Sequence, residues 1–300
     1  MPDISVCLIT YNHGAFIEQA LNSILGQKTS YSFEIVIGED CSTDTTRQIC
    51  EDYAARFTDK INLLPTPQNM GAALNFIRTV DACTGKYFAY CDGDDYWIDE
   101  NKLQEQVAFL EANPDYVLCA GRSGYLQYDG HIEIRDERAN KNKVDFTVKD
   151  YLLKMSFETA TILFRKDKDF KFPDFYVNIF SGDQFLVLML TMNGGKIRYI
   201  DRDLTVYRYH AGGVTKQTKI KEKLDRFMLM LDQFDAYSGQ RHHQHVQLRK
   251  RIALISWNHS LLNYPRRVWF MFSNLVFAFR YHKYIPFTPK LFARYLMPFK

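Results

Sequence analysis

Asp92-Gly93-Asp94-Asp95 places three carboxylates in four residues, directly after the apolar, aromatic run Tyr87-Phe88-Ala89-Tyr90. That run reads as a buried strand, so the acids stand where a strand gives way to a loop. Open α/β sheets bind ligands at the carboxyl ends of their strands. Acids this close repel one another unless a cation lies between them. Mg²⁺ or Mn²⁺ meets that need through one or two carboxylates plus substrate phosphate oxygens. An isolated acidic run of this kind is equally compatible with a solvated turn. A further carboxylate, Asp183, falls in the first turn of an apolar helix, Phe185 to Met192, that Gly194-Gly195 closes. It can serve as a helix cap favoured by the dipole.

The elements that must position these acids follow a regular order. Ile4–Thr10 reads as a strand, broken by Tyr11-Asn12-His13-Gly14 and followed by a helical stripe of Phe16, Ile17, Ala20, Leu21, Ile24 and Leu25. A second strand, Phe33–Gly38, ends in Glu39-Asp40-Cys41-Ser42-Thr43-Asp44, where Ser42, Thr43 or Asp44 can cap a helix reaching about Phe57. A short strand at Ile61–Leu64, a loop Gln68–Gly71 and a helix through Val80 precede the acidic strand end, and a helix near Asn101–Ala112 follows it. Strands are also expected at Tyr116–Ala120, Ala160–Phe164, Lys196–Ile200 and Leu204–Tyr209, with an irregular surface excursion or a mobile loop between Asp129 and Asp150. Strands alternating with helices over short connections predict an α/β fold with a doubly wound, mostly parallel sheet. Neither G-x-G-x-x-G nor the P-loop pattern occurs, so a bound nucleotide would need a metal at its phosphates in place of a glycine-rich cradle.

Composition adds bounds. The net charge is only +3. From Arg241 onward, however, there are eleven Lys or Arg and no acid, which leaves the first 240 residues at −8. An acidic body with a basic tail suggests two tasks. All six cysteines lie within the first 119 residues without a C-x-x-C pair, as expected of buried thiols in a reducing cytosol. The N-terminus enters a strand directly, without the basic start and apolar run of a signal peptide.

Taken together, the ordered motifs resemble bacterial glycosyltransferase family 2 enzymes of the GT-A fold, over about residues 3 to 216. They are Ser5–Asn12, the Glu39-Asp40-x-Ser42-Thr43-Asp44-x-Thr46 turn, Asn69-x-Gly71, Asp92–Asp95, Gly182-Asp183 and Tyr207-Arg208-x-His210. The resemblance implies a GT-A catalytic domain at 1–216 and a helical extension at 217–300. It implies an inverting transfer of a sugar from a nucleotide-diphosphate donor, a UDP-sugar in particular, to a polysaccharide or lipid-linked glycan acceptor in cell-surface glycan synthesis. By position, Tyr11 would stack on the base and Asp40 would accept from a base N–H. Thr10, Asn12, Glu39, Asn69, Asp92 and Gly93 would complete the nucleotide site. Asp94 would ligate Mn²⁺ or Mg²⁺, with Asp92 as a possible second ligand and His210 either beside the metal or merely structural. Asp95 and Trp97 would lie on the acceptor side, and Asp183 would be the catalytic base. The alternatives are a sugar-phosphate nucleotidyltransferase and a membrane-docking module with a vestigial site.

In the extension, helices are expected at Lys219–Phe234 and Leu248–Leu262, and the intervening Arg241-His242-His243-Gln244-His245 reads as solvated rather than as a metal site. The stretch Val268–Phe279 is apolar over 12 residues, flanked by Arg and rich in Phe and Trp. It is too short to span a bilayer but suited to an anionic membrane surface, here the inner face of the plasma membrane. Packing on the catalytic domain or on a second copy in a homodimer is the competing use. Nucleic acid is disfavoured by the acidic body and the lack of an RNA-binding motif. A chain ending at Tyr264 should stay folded and no longer pellet with anionic vesicles; continued pelleting would rule out the tail as the anchor.

Overall fold

Ile4–Thr10 (β1) buries Ile4, Val6 and Leu8 on one face and Ser5 and Cys7 on the other, as a strand covered on both sides requires. The computed structural model describes residues 1–136, 138, 141–154, 157–167, 169–179, 181–210 and 220–262. Two units divide the chain, Met1–Gln217 and Thr218–Lys300.

In the first unit, β1 pairs in parallel with Phe33–Glu39 (β2) on one side and Tyr87–Asp92 (β4) on the other, and Ile61–Leu63 (β3) extends β2. Helices Ile17–Leu25 (α1), Thr46–Arg56 (α2) and Ala72–Ala82 (α3) form the connections. In α1, Ile17, Ala20, Leu21 and Ile24 form one buried stripe at helical spacing. They pack with Leu103, Val107 and Leu110 of Lys102–Ala112 (α4) against the apolar face of β1 and β2. This doubly wound half agrees with the sequence reading.

The second half of the sheet is mixed. Tyr96–Trp97 (β5), Tyr116–Leu126 (β6), Leu163–Arg165 (β9) and Lys196–Arg208 (β10) complete the order β3-β2-β1-β4-β9-β6-β10-β5. β9 runs antiparallel to both β4 and β6, whereas β10 is parallel to β6. The whole is the α/β GT-A type of sheet flanked by helices.

Four local expectations need correction. The segment Asp129–Asp150 is not an irregular excursion: it contains Ile132–Arg135 (β7), Asp145–Phe146 (β8) and the start of Val148–Lys154 (α5). The hairpin to β7 turns at Gly130 (φ +84°) and is closed by the Gln127 N–H donating to the His131 carbonyl. Its short, exposed, charge-alternating strand gives little hydrophobic signal. Residues 159–161 are a 3₁₀ turn, and the strand there is only Leu163–Arg165. The two strands expected between Lys196 and Tyr209 are one, β10, with register shifts on either side of Asp203. Trp97, expected on the acceptor side, is 4% exposed and belongs to the main core, because β5 directs its side chain beneath the sheet edge.

In the second unit, Ile220–Tyr237 (α7) and His243–Leu262 (α8) are joined by a hydrogen bond between Asp235 and His243 (2.6 Å) and by the Asp232–Lys250 ion pair. Helix α8 begins five residues before the expected Leu248, so His243 and His245 are helical. No helix among the described residues is long and apolar enough to cross a membrane. The basic, aromatic stretch from Arg266 to Lys300 lies outside the described residues.

One core position is chemically unusual. Lys102 is fully buried at the start of α4, its Nζ 4.2 Å from the Trp97 ring centroid and without a hydrogen-bond partner among the described residues. Burial pulls its pKa down to about 7. The folded protein therefore binds this proton less tightly than the unfolded chain, so stability rises as pH climbs from about 7 toward the ordinary lysine value of 10.5. Lys102→Met should raise stability at neutral pH by roughly 1–4 kcal/mol and flatten that rise, as measured by denaturant unfolding at pH 7 and pH 9.5.

Candidate active site

Three strands end together. Thr10 is in register with Glu39, and Ile9 with Asp92, so the loops after β1, β2 and β4 share the carboxyl edge of the sheet. The first two loops are stitched to each other. The Asn12 N–H donates to Ser42 Oγ (2.9 Å), the Thr43 N–H donates to Asn12 Oδ1 (2.9 Å), and the Gly14 N–H donates to Asp44 Oδ2 (2.9 Å). Asn12 adopts φ +56° to make this turn, a conformation its short polar side chain tolerates. Asp44 also accepts from the Thr46 N–H (2.9 Å) at the start of α2, although the N-cap position itself is Thr45, which makes no side-chain cap bond.

The two acids at the end of β2 are engaged with backbone. Glu39, 2% exposed, accepts from the N–H groups of Ser42 (2.6 Å) and Cys41 (3.2 Å). Asp40 accepts from the N–H groups of Met70 (2.8 Å) and Gly71 (2.9 Å), and Asn69 donates its side-chain amide to the Asp40 carbonyl (2.9 Å). Each ionised carboxylate offers about four acceptor sites, so these bonds leave capacity for a ligand donor. Arg78, unremarked in the sequence, anchors the same region by donating to the Glu39 carbonyl (3.0 Å) and the Pro65 carbonyl (2.9 Å). Tyr11 stands on this edge, 43% exposed.

At the end of β4, Asp94 meets two imidazoles. His210 Nε2 lies 2.9 Å and His13 Nε2 3.5 Å from Asp94 Oδ2. The three residues each offer a ligand atom within 4.8 Å of one another. Adjacent ligands at about 2.1 Å from one octahedral ion lie about 3 Å apart, so the spacing fits a shared cation. Burial lowers the His13 pKa, which favours the neutral, ligating imidazole. Gly93 lets this assembly close: a Cβ there would fall 2.4 Å from Thr10 Oγ1 and 3.0 Å from His13 Nδ1. His13 was not among the expected ligands. Its only signal is its place in the loop after β1, and what brings it to Asp94 is the pairing of β1 with β4.

Arg208 fixes the acidic turn. Its Nε donates to the Asp94 carbonyl (2.9 Å), its backbone N–H donates to Asp95 Oδ1 (3.0 Å), and its guanidinium stacks on Phe16 and Tyr96. Burial and the charge of Asp94 push Asp92 up to about 8 and drive Asp95 well above the usual carboxylate range. Tyr90 donates its hydroxyl to Asp92 Oδ1.

A cavity of about 540 Å³ opens beside this turn. Asp92, Asp94, Asp95 and Asp183 all line it, as does Glu158, which the sequence did not single out. Asp183 sits in the first turn of Gly182–Thr191 (α6) and accepts from Thr159 Oγ1 (3.2 Å). The helix start is held by Tyr176, whose hydroxyl donates to the Gly182 carbonyl (2.8 Å). Asp183 is open to the cavity yet surrounded by protein, and this burial raises its pKa. The geometry thus joins a cluster able to hold a cation to a carboxylate of enhanced basicity. Thr10 and Glu39 at the strand ends, and Tyr11, Asn12, Asp40 and Asn69 on the loops that follow, stand outside the cavity wall.

Known proteins resemble this chain in sequence and in fold. An uncharacterized protein of Mycobacterium tuberculosis is 30% identical over 211 residues, which are 70% of this chain and 60% of that relative's length. Among solved structures, residues 1–349 of Staphylococcus aureus TarS, in complex with UDP-GlcNAc, superpose with a TM-score of 0.59 at 20% identity, covering 85% of this chain and 80% of that fragment. The mannosyltransferase PcManGT of Pyrobaculum calidifontis, in complex with GDP-Man and Mn²⁺, gives 0.58 at 18% identity, covering 94% and 82%. Residues 5–171, more than half of the sequence, match the family described as glycosyl transferase family 2, and the chain belongs to that family.

Proposed function

We propose that this protein is an inverting, metal-dependent glycosyltransferase that moves a sugar from a nucleoside diphosphate, a UDP-sugar, to a hydroxyl of a polysaccharide or lipid-linked glycan. The observation that carries the reading is the shared cavity, with Asp94 between two imidazoles on one side and Asp183 in its wall. TarS and PcManGT, with UDP-GlcNAc and with GDP-Man and Mn²⁺ in their respective structures, support a nucleotide-sugar donor.

In this reading His13, Asp94 and His210 hold a divalent cation. Two nitrogen donors beside one carboxylate favour Mn²⁺ over Mg²⁺, which prefers an all-oxygen shell. The cation, when bound, supplies Lewis-acid stabilisation of the charge that develops on the departing diphosphate. The stitched loops carrying Tyr11, Asn12 and Asp40 position the nucleoside. Asp183 takes the proton of the acceptor hydroxyl as its oxygen attacks the anomeric carbon and the bond to the diphosphate breaks. One displacement from the face opposite the leaving group inverts the anomeric centre. A raised pKa strengthens Asp183 as a base and keeps its proton affinity closer to neutrality, where general-base catalysis is most effective. The basic, aromatic tail would hold the enzyme at the cytoplasmic face of the membrane.

Thermal unfolding with UDP, GDP, dTDP or CMP, each with Mn²⁺, Mg²⁺ or EDTA, tests the donor site. A nucleotide at 100 times its Kd adds about 2.7 kcal/mol of stability. The largest shift is expected with UDP and Mn²⁺, and Asp94→Ala should abolish it; a chain that no nucleotide–metal pair stabilises would not be a transferase. Asp183→Asn should retain that shift while transfer falls by about two orders of magnitude or more. Near-normal turnover of this variant would remove Asp183 from the mechanism.

A further inference from the structure

Asp183 is held by two separate elements of the first unit. Its backbone belongs to the first turn of α6, where the Tyr176 hydroxyl donates to the Gly182 carbonyl (2.8 Å). A Cβ on Gly182 would crowd that hydroxyl at 3.0 Å. The carboxylate is met from elsewhere: Thr159, 24 residues earlier in the chain, donates its hydroxyl to Asp183 Oδ2 (3.2 Å). Thr159 opens the 3₁₀ turn Thr159–Thr161, which is pinned on its buried side. The Thr161 N–H (3.0 Å) and the Thr161 hydroxyl (2.7 Å) both donate to the Glu158 carbonyl. Gln106 of α4 donates its amide to the Thr161 carbonyl (2.8 Å), and both of these residues are fully buried. Donor and acceptor are therefore each fixed before they meet, and both line the cavity.

We propose that Thr159 is a positioning residue, and that its hydroxyl fixes the orientation in which the Asp183 carboxylate takes the acceptor's proton. The inference rests on the transferase reading above and adds a residue to it. Capping of α6 does not require this bond. A cap satisfies backbone N–H groups of its own helix, whereas Thr159 donates to a side chain from a different element. A carboxylate beside an open cavity can rotate, and a donor held on one oxygen removes that freedom; a misaligned base costs rate. In the step itself the acceptor oxygen bonds to the anomeric carbon, its proton passes to Asp183, and the bond from that carbon to the diphosphate breaks. Thr159 keeps its own proton throughout. Burial raises the Asp183 pKa, and the Gln184 N–H and then the Thr159 hydroxyl act in the opposite direction by favouring the ionised form. Around Asp183 stand Asp92 and Asp94 at the acidic turn, Glu158 beside the 3₁₀ turn, and Tyr176. Replacing the Thr159 hydroxyl by a methyl group leaves all four in place.

Two measurements on the full chain test this role. Carboxyl-carbon NMR, with Asp183→Asn to assign the signal, follows the titration of Asp183. In Thr159→Val it should move to higher pH than in the wild type, and in Thr159→Ser it should return. UDP release from UDP-glucose, UDP-galactose and UDP-N-acetylglucosamine with Mn²⁺, water serving as the acceptor, gives kcat and donor KM. Thr159→Val should lower kcat about tenfold or more, as loss of a hydrogen bond to a charged group does, and leave donor KM within about twofold. Its rate should also rise with pH later than that of the wild type, because the base stays protonated to higher pH, and serine should restore most of the loss. An Asp183 titration unmoved by valine, or a kcat that valine leaves unchanged or serine fails to restore, would overturn the role of Thr159 while the UDP–Mn²⁺ thermal shift kept the transferase reading intact. Where valine prevents folding, Thr159→Ala takes its place, and where no UDP-sugar is hydrolysed, the titration alone decides. Near-normal turnover of Asp183→Asn, or no nucleotide shift in the wild-type chain, would remove the reading on which the inference rests.

Discussion

Carboxylates crowded at the end of β4 repel one another, and the rest of the site is built to hold them in place. Arg208 ties the backbone of Asp94 and the side chain of Asp95 to β10, and its guanidinium is itself clamped between Phe16 and Tyr96. His13 and His210 approach the free oxygen of Asp94 from two different segments. Even so, burial first and the neighbouring charge of Asp94 second keep Asp92 near 8 and Asp95 well above its usual range, a residual imbalance. A cation placed among them would relieve that imbalance, because opposite charge favours the ionised form of each acid.

The loops around this turn reach their shape through bonds among themselves. Glu39 and Asp40 brace backbone N–H groups in the loops at 41–42 and 70–71, and Arg78 gathers the carbonyls of Glu39 and Pro65. A charged acceptor on a backbone N–H is among the stronger hydrogen bonds, so these contacts hold the edge rigid before any ligand arrives. Rigidity of this kind lowers the ordering cost of binding.

The cavity separates its tasks by strand alternation. Alternation along the end of β10 and the two residues beyond it places Arg208 and His210 at the acidic turn while Tyr207 and Tyr209 join Tyr125 in an aromatic cluster. The turn at Glu158–Thr161 then brings polar groups to that cluster and to Asp183 together. Asp183 is thereby positioned from two directions, by the start of α6 and by Thr159.

The sequence by itself determined the elements and the acids. Apolar runs at Ile4–Thr10, Phe33–Gly38 and Tyr87–Tyr90, separated by helical stripes, encode the doubly wound half of the sheet, because burial on both faces demands such runs. Asp94 after its strand and Asp183 in the first turn of its helix were legible for the same local reason. What only the tertiary structure decided is which distant groups meet. His210 reaches Asp94 across 116 residues, and His13 reaches it because β1 pairs with β4. Glu158 immediately precedes a short 3₁₀ turn that carries no periodicity, and the strand Ile132–Arg135 alternates isoleucine with charge over only four residues. Trp97 shows the converse: its place beside the acids in sequence suggested an acceptor contact, and the pairing of β5 with β10 turned it into the core. Local pattern fixes what a segment becomes, whereas sheet register fixes which side chains share a site.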